Sequence, residues 1–189
     1  MTTALASQIP GYTVGTWTID PVHSDVSFTV RHLMVSKVRG HFRAFEGTFT
    51  TAEDPADSTV TATIKLDSID TNQEQRNAHI RSADFFEVEK YPEMTYASTG
   101  VRFDGDDWII DGDLTLKGIT KQVSLTLEIN GFGPDSYGGT RAGFTAKGEI
   151  NRHDFNVSFN PGLDGGGVVI SDKVTLVLEI EAVLDTPAA

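Results

Sequence analysis

Asp25-Val26-Ser27-Phe28-Thr29-Val30 alternates polar and apolar side chains without a break. Val26, Phe28 and Val30 therefore share one face, and Asp25, Ser27 and Thr29 the other, as in a strand with one face buried and one in water. Arg31 to Ser36 interrupts the pattern and is expected to form a helical turn or a wide corner. Val38, Gly40 and Phe42 resume it. The phase slips near Ala44 and Phe45, which predicts a bulge, and Phe45, Gly47 and Phe49 carry the strand on. The same two-residue period returns at Val60, Ala62, Ile64 and Leu66, at Met94 to Phe103, and at Trp108 to Leu116. It returns again at Val123 to Ile129, at Ala142 to Ile150, and at Val174, Leu176, Leu178 and Ile180. Asp104-Gly105-Asp106 between two alternating runs is a hairpin signal. The pattern predicts an all-β fold of eight antiparallel strands. Eight such strands with one apolar face close naturally into a barrel able to hold one small ligand; a two-sheet sandwich is the competing closure.

One segment, Arg76 to Pro92, leaves the alternation and gathers His79, Arg76, Arg81, Phe85, Phe86 and Tyr91-Pro92. Thr71-Asn72-Gln73-Glu74 ahead of it fits a capping box, so a short helix is expected from about Asn72 to Ser82. Only Ala78 and Ile80 are available to bury, which suits a helix lying across a barrel rim rather than one in a core. Pro92 ends any helix.

The chain has 189 residues, no cysteine, and 27 acidic against 15 basic side chains, for a formal charge of −12. Disulfides, thiolate metal sites and cysteine nucleophiles are excluded. The acidic balance argues against a nucleic-acid binder, which needs a basic footprint. Composition is uniform, so residues 1–15 are read as an extension and 16–184 as one domain. The first eleven residues lack a basic region followed by an apolar run, and no stretch approaches a membrane span, so a cytoplasmic location is expected.

His23, His32, His41, His79 and His153 never fall two or four apart, so no metal site is expected. No Gly-x-Ser-x-Gly elbow occurs. His79 with Asp84, or His153 with Asp154, are the conceivable acid–base pairs, but such pairs often arise by chance and structural roles at a barrel rim are the favoured reading. Gly40, Ala62, Ala142, Ala146 and Gly148 lie in phase with Phe28, Phe42 and Phe144. Such small residues either leave a cavity or permit close contact, and the pattern alone leaves both open.

Six ordered blocks carry a resemblance to a known family. They are Trp17-Thr18-Ile19-Asp20-Pro21-Val22-His23-Ser24; Val26 to Leu33; Val38-Arg39-Gly40-His41-Phe42; His79-Ile80-Arg81-Ser82-Ala83-Asp84-Phe85-Phe86 with Tyr91-Pro92; Gly112 to Lys121; and Ile150-Asn151-Arg152-His153-Asp154-Phe155 with Val174 to Ala182. Together they resemble the YceI-like family of bacterial polyisoprenoid-binding proteins. The resemblance implies a lipocalin-like, eight-stranded barrel with an apolar pocket for an isoprenoid chain, as a homodimer. It also implies a non-catalytic carrier role in quinone metabolism, transport or stress response, with no cofactor beyond the bound lipid. On such a barrel, Phe28, Phe42, Ala62, Phe85, Phe86, Tyr96, Trp108 and Phe144 are expected to touch the chain. His23, Arg31, His79, Arg81 and Arg152 are expected at the rim near a headgroup. The charge of −12 favours a neutral, quinone-like headgroup over a diphosphate. Asn156 stands where the family pattern has Gly, and Asn best tolerates the left-handed backbone such a turn needs. The alternatives are a small-molecule enzyme using His79, Arg81 and Asp84, or a structural protein with a filled barrel.

Overall fold

The computed structural model describes residue 6, residues 8–164 and residues 166–186. The rest of the predicted extension, residues 1–5 and 7, lies outside the described residues, as does Gly165.

Strands β1 (Gly15–Ile19) and β2 (Asp25–His32) follow one another along the same neighbour, β11 (Ile170–Leu184), with Ile19 registered on Ala182 and Val26 on Leu178. They form one stave, broken where Asp20 to Ser24 bulges outward. The second stave is β3 (Ser36–Phe42) with β4 (Phe45–Thr51), bent at Arg43 and Ala44, where the sequence phase slips. The third is β5 (Thr59–Lys65) with the short β6 (Ile69–Asp70), joined by a 3-10 turn at Leu66–Ser68. Strands β7 (Glu93–Asp104), β8 (Asp107–Leu116), β9 (Ile119–Pro134) and β10 (Thr140–Asn151) complete the ring with β11. Every pairing is antiparallel, and β1 bonds to both β4 and β11, so the eight staves close. The barrel is realised and the sandwich is not. The shared inward face makes closure favourable, because it removes edges and brings every apolar row together.

The two ends of the barrel differ. At one end Trp17 is fully buried and stacks on Phe49 at 5.8 Å, with Phe132 edge-on at 5.5 Å. Phe144 meets Phe49 and Phe132 edge-on in turn. The Trp17 indole N–H donates to Thr51 Oγ1 at 2.9 Å, so this aromatic floor leaves no polar atom unpaired. Tyr12 of the extension packs on Phe132 and donates its hydroxyl to the Ala52 carbonyl at 2.7 Å. The opposite end carries the β2–β3 turn, a single helix α1 (Glu74–Arg81) and the irregular chain between β10 and β11.

Three local expectations are corrected. Arg31 to Ser36 is neither a helical turn nor a wide corner. Strand pairing continues to His32 opposite Ser36, and Leu33 and Met34 both adopt left-handed backbone, at φ 50° and 55°. The loop is a tight hairpin turn of the kind Asn-Gly usually makes, and the two side chains there cost about 1–2 kcal/mol each. The capping box does not form. Asn77, buried inside α1, accepts both the Thr71 amide (2.8 Å) and the Thr71 hydroxyl (2.6 Å), so Thr71 is a donor rather than a cap. The cap is Gln73, whose side-chain oxygen accepts from the Arg76 amide, and Asn72 takes φ 61° just before it. Ala78 is exposed, so Ile80 alone gives α1 an apolar anchor. Asn156 holds the left-handed conformation expected of it, at φ 54° and ψ 29°.

Candidate functional site

The inward rows do not meet in the middle. They enclose a cavity of about 660 Å³, within the usual range for small-ligand sites. Its walls come from every stave, including Val26, Phe28 and Val30 of the opening stretch, Ile64, Leu114, Leu125, Leu127, Leu176 and Leu178. The lining is almost wholly apolar; the imidazoles and guanidiniums that border it lie at the helix end, and hydroxyls such as those of Tyr12, Thr51 and Ser58 border the floor.

The small inward residues divide between the two explanations. Ala62 and Ala146 line the cavity and leave it room. Gly40 instead lies under the Phe28 ring, where an added Cβ would sit 2.3 Å from Cζ, and one on Gly148 would sit 2.7 Å from Leu125 Cδ2. Ala142 is buried in the floor beside Trp17.

All eight expected chain-contacting residues, Phe28, Phe42, Ala62, Phe85, Phe86, Tyr96, Trp108 and Phe144, border the cavity. Phe85 and Phe86 follow α1 and enter from the helix end. Phe86 lies 6.1 Å from Phe42, and Phe85 packs 5.2 Å from Phe159. Tyr96 donates its hydroxyl to the Val123 carbonyl at 3.0 Å, and burial pushes its phenol well above the ordinary range.

The five expected rim residues separate. His79 reaches the cavity wall, its ring edge-on to Phe85 and Phe159 at 5.1 and 4.9 Å, and its Nε2 is 2.7 Å from Asp84 Oδ2. Arg31 borders the mouth on the outward-facing side of β2. Arg152 also borders the cavity, but it is buried and committed. It donates to the carbonyls of Ser171 (2.9 Å), Val157 (2.7 Å), Phe159 (2.9 Å) and Ile170 (3.2 Å), and burial lowers its affinity for a proton. Arg81 is absent from the lining. It ties α1 to the barrel through the Asp67 carbonyl (2.9 Å) and the Ile69 carbonyl (3.3 Å), and within the helix it pairs with Glu74 (2.9 Å).

His23 is on the outer wall, where the first stave bulges. Its Nδ1 is 2.7 Å from Asp20, and Asp20 and Glu181 both accept from Arg141 Nη1, at 2.8 and 2.6 Å. The Arg141 and His23 bonds hold the Asp20 carboxyl well below the usual carboxylate range. Asp20, His23 and Glu181 have the donor types of a metal site. The guanidinium bridging the two carboxylates already occupies their shared face and offsets one of their two charges, and a cation would have to displace it. His153 pairs with Asp172 at 2.8 Å rather than with Asp154.

Residues that the sequence did not single out complete the site. His32 continues the phase of Phe28 and Val30 to the mouth, which the period alone could have revealed. Val157, Phe159, Pro161 and Val169 arrive from the irregular connection, and Ile9 and Tyr12 from the extension, where no period exists to read.

Residues 17–182 match the YceI-like domain, and the chain belongs to that family. It is 45% identical over 162 residues to Protein YceI of Escherichia coli, covering 85% of this chain and 82% of that one. The crystal structure of the Campylobacter jejuni YCEI protein is similar at a TM-score of 0.69 and 30% identity, covering 88% of this chain and 96% of that one. A polyisoprenoid binding domain from Saccharophagus degradans shares the fold, at a TM-score of 0.66 and 17% identity, covering 92% of this chain and all of the other.

Proposed function

We propose that this YceI-like protein is a non-catalytic carrier that holds the tail of an isoprenoid lipid, a polyprenyl chain or isoprenoid quinone, inside its barrel. The observation that carries this reading is the long apolar cavity, bordered by imidazoles and guanidiniums at one end and floored by aromatics at the other. The polyisoprenoid binding domain of the same fold supports the ligand class. Three isoprene units, about 15 carbons, contribute roughly 12 kcal/mol at ~0.8 kcal/mol per buried methylene. Subtracting an association cost near 4 kcal/mol, the low end of its range, leaves micromolar affinity. The tail therefore supplies the binding energy, and the headgroup decides selection among lipids.

His32, His79 and Arg31 are the polar side chains placed to meet that headgroup, because Arg152 and Arg76, which also border the cavity, already serve acceptors of the fold itself. Two imidazoles and one guanidinium suit a quinone-like carbonyl better than a diphosphate, which needs several charged donors to offset its desolvation. Protein purified without detergent, then analysed by native mass spectrometry and lipid extraction, should carry one isoprenoid lipid per barrel. An empty barrel that also refuses added quinone in a fluorescence titration rejects the carrier reading.

The pairing of His79 with Asp84 at the cavity wall favours one second reading, a small-molecule enzyme with His79 as base. That reading requires a turnover abolished in His79→Ala with the fold intact.

A further inference from the structure

We propose that the β2–β3 hairpin, with the tip of the β10–β11 connection beside it, is a docking surface for an anionic lipid bilayer. The inference rests on the carrier reading only for its purpose; the surface itself stands on three separate observations.

The first is apolar exposure at a strained turn. Leu33, Met34 and Val35 are 42%, 56% and 82% exposed, and Leu163 and Val168 of the neighbouring connection are each 40% exposed. The Leu33 amide donates to the Val169 carbonyl at 2.8 Å, so the two tips are tied into one patch. Leu33 and Met34 occupy left-handed backbone that Asn and Gly would fill without strain. Folding gains nothing from placing Leu and Met there in water.

The second is charge. In a chain of net charge −12, no Asp or Glu occurs between Asp25 and Glu46, whereas Arg31, Lys37, Arg39 and Arg43 do. Arg43 pairs with Asp70. No ion pair found among the described residues involves Arg31, Lys37 or Arg39. Arg31 stands directly opposite Lys37 across the β2–β3 ladder, and like charges so placed repel. An anionic surface relieves that repulsion. Asp164, next to Leu163, is the one carboxylate on the paired tip, and Asp172 behind it is engaged by His153.

The third is continuity. The inward residues of the same hairpin, Val30, His32 and Val38, line the cavity, as does Val169 of the paired tip. A bilayer seated on the outer face would thus meet the mouth through which a lipid tail has to pass. Apolar side chains flanked by unpaired cations are the pattern of a shallow interfacial anchor. A second copy fits less well, because a two-fold contact would set this basic face against itself.

The test is flotation of the purified protein with phosphatidylglycerol-containing vesicles and with pure phosphatidylcholine vesicles, at low and high salt. The wild type should float with the anionic vesicles only and lose binding as salt rises. Leu33→Asn with Met34→Gly installs a favoured hairpin turn, so the fold survives, and should weaken vesicle partitioning about tenfold. Lys37→Glu with Arg39→Glu should weaken it by roughly 25-fold or more, at about fivefold per basic residue. Equal flotation of the wild type and both double variants, or none by the wild type, overturns the proposal. A concentration-dependent dimer that L33N/M34G dissolves, without flotation, assigns the face to a second copy and overturns it too. Lipid extraction and quinone titration of the same samples separate the two readings: flotation by a barrel that is empty and refuses added quinone keeps this surface and removes the carrier.

Discussion

At the residue scale, Arg152 shows how a chemically apt side chain can be taken up by structure. Its sequence setting, beside His153 and Asp154, suits a fork for a headgroup. The fold instead closes four carbonyls around it, from Val157 to Ser171, so that it staples the connection between β10 and β11 to the barrel mouth. Removing a buried donor set leaves its acceptors unsatisfied. Arg152→Met should therefore destabilise the protein by about 3–5 kcal/mol, read as a fall in the urea midpoint, at the upper end of single-substitution effects. Stability within 1 kcal/mol of wild type, combined with altered headgroup preference, would return Arg152 to the ligand. The residues that sequence reading placed well are those whose role is set by period: Phe28, Ala62 and Phe144 border the cavity because their phase faces inward. Those it misplaced are held by partners that no local pattern names. His23 bonds Asp20, and Asp20 is fixed on the outer wall by Arg141, more than a hundred residues away, which nothing in Pro21-Val22-His23 announces.

At the scale of elements, we propose that the segment from Arg76 to Pro92 is a lid over the helix end of the cavity, built from a poor helix and a good anchor. Eight residues of mostly polar helix cannot stand alone. Asn77 locks the start to Thr71, Arg81 locks the end to Asp67 and Ile69, and Phe86 drops onto Phe42. The helix itself was legible, whereas its cap was not. A Thr-x-x-Glu spacing describes two local groups, and a buried Asn that outcompetes them is a tertiary effect. The same distinction explains the β2–β3 turn, where the flanking strands were readable but Leu-Met gives no turn signal. The two aromatics of the lid should separate in function. Phe86→Ala should cost about 2 kcal/mol of stability, because its ring packs on the buried Phe42. Phe85→Ala, whose ring meets His79 and Phe159 at the mouth, should cost about half that and speed lipid release more. Chemical denaturation and the off-rate of a fluorescent isoprenoid measure the pair. Equal lipid off-rates in both variants and wild type would remove the lid assignment.

At the scale of the whole molecule, the barrel resolves a conflict between closure and packing. Closing eight staves eliminates edges, but their inward side chains are too few and too small to fill the interior, and a cavity of about 660 Å³ remains. Apolar walls around that space forfeit the dispersion contacts a filled core would have. An occupant that supplies those contacts binds the folded state and not the unfolded chain, so it must stabilise the barrel by mass action. At a free concentration of 100 times its Kd, a ligand adds about 2.7 kcal/mol. For a domain of this size, each kcal/mol moves the thermal midpoint by roughly 2–4 °C. Stripping the lipid should therefore lower Tm by about 5–10 °C, and adding back an isoprenoid quinone should restore it in a concentration-dependent way. A straight-chain fatty acid that restores Tm equally at the same concentration would show that the cavity selects for apolar volume and not for the branched chain. Scanning calorimetry on stripped and reloaded protein distinguishes the two, because the size of the shift reports affinity for each tail directly. A filled-barrel structural protein would show no shift with either ligand.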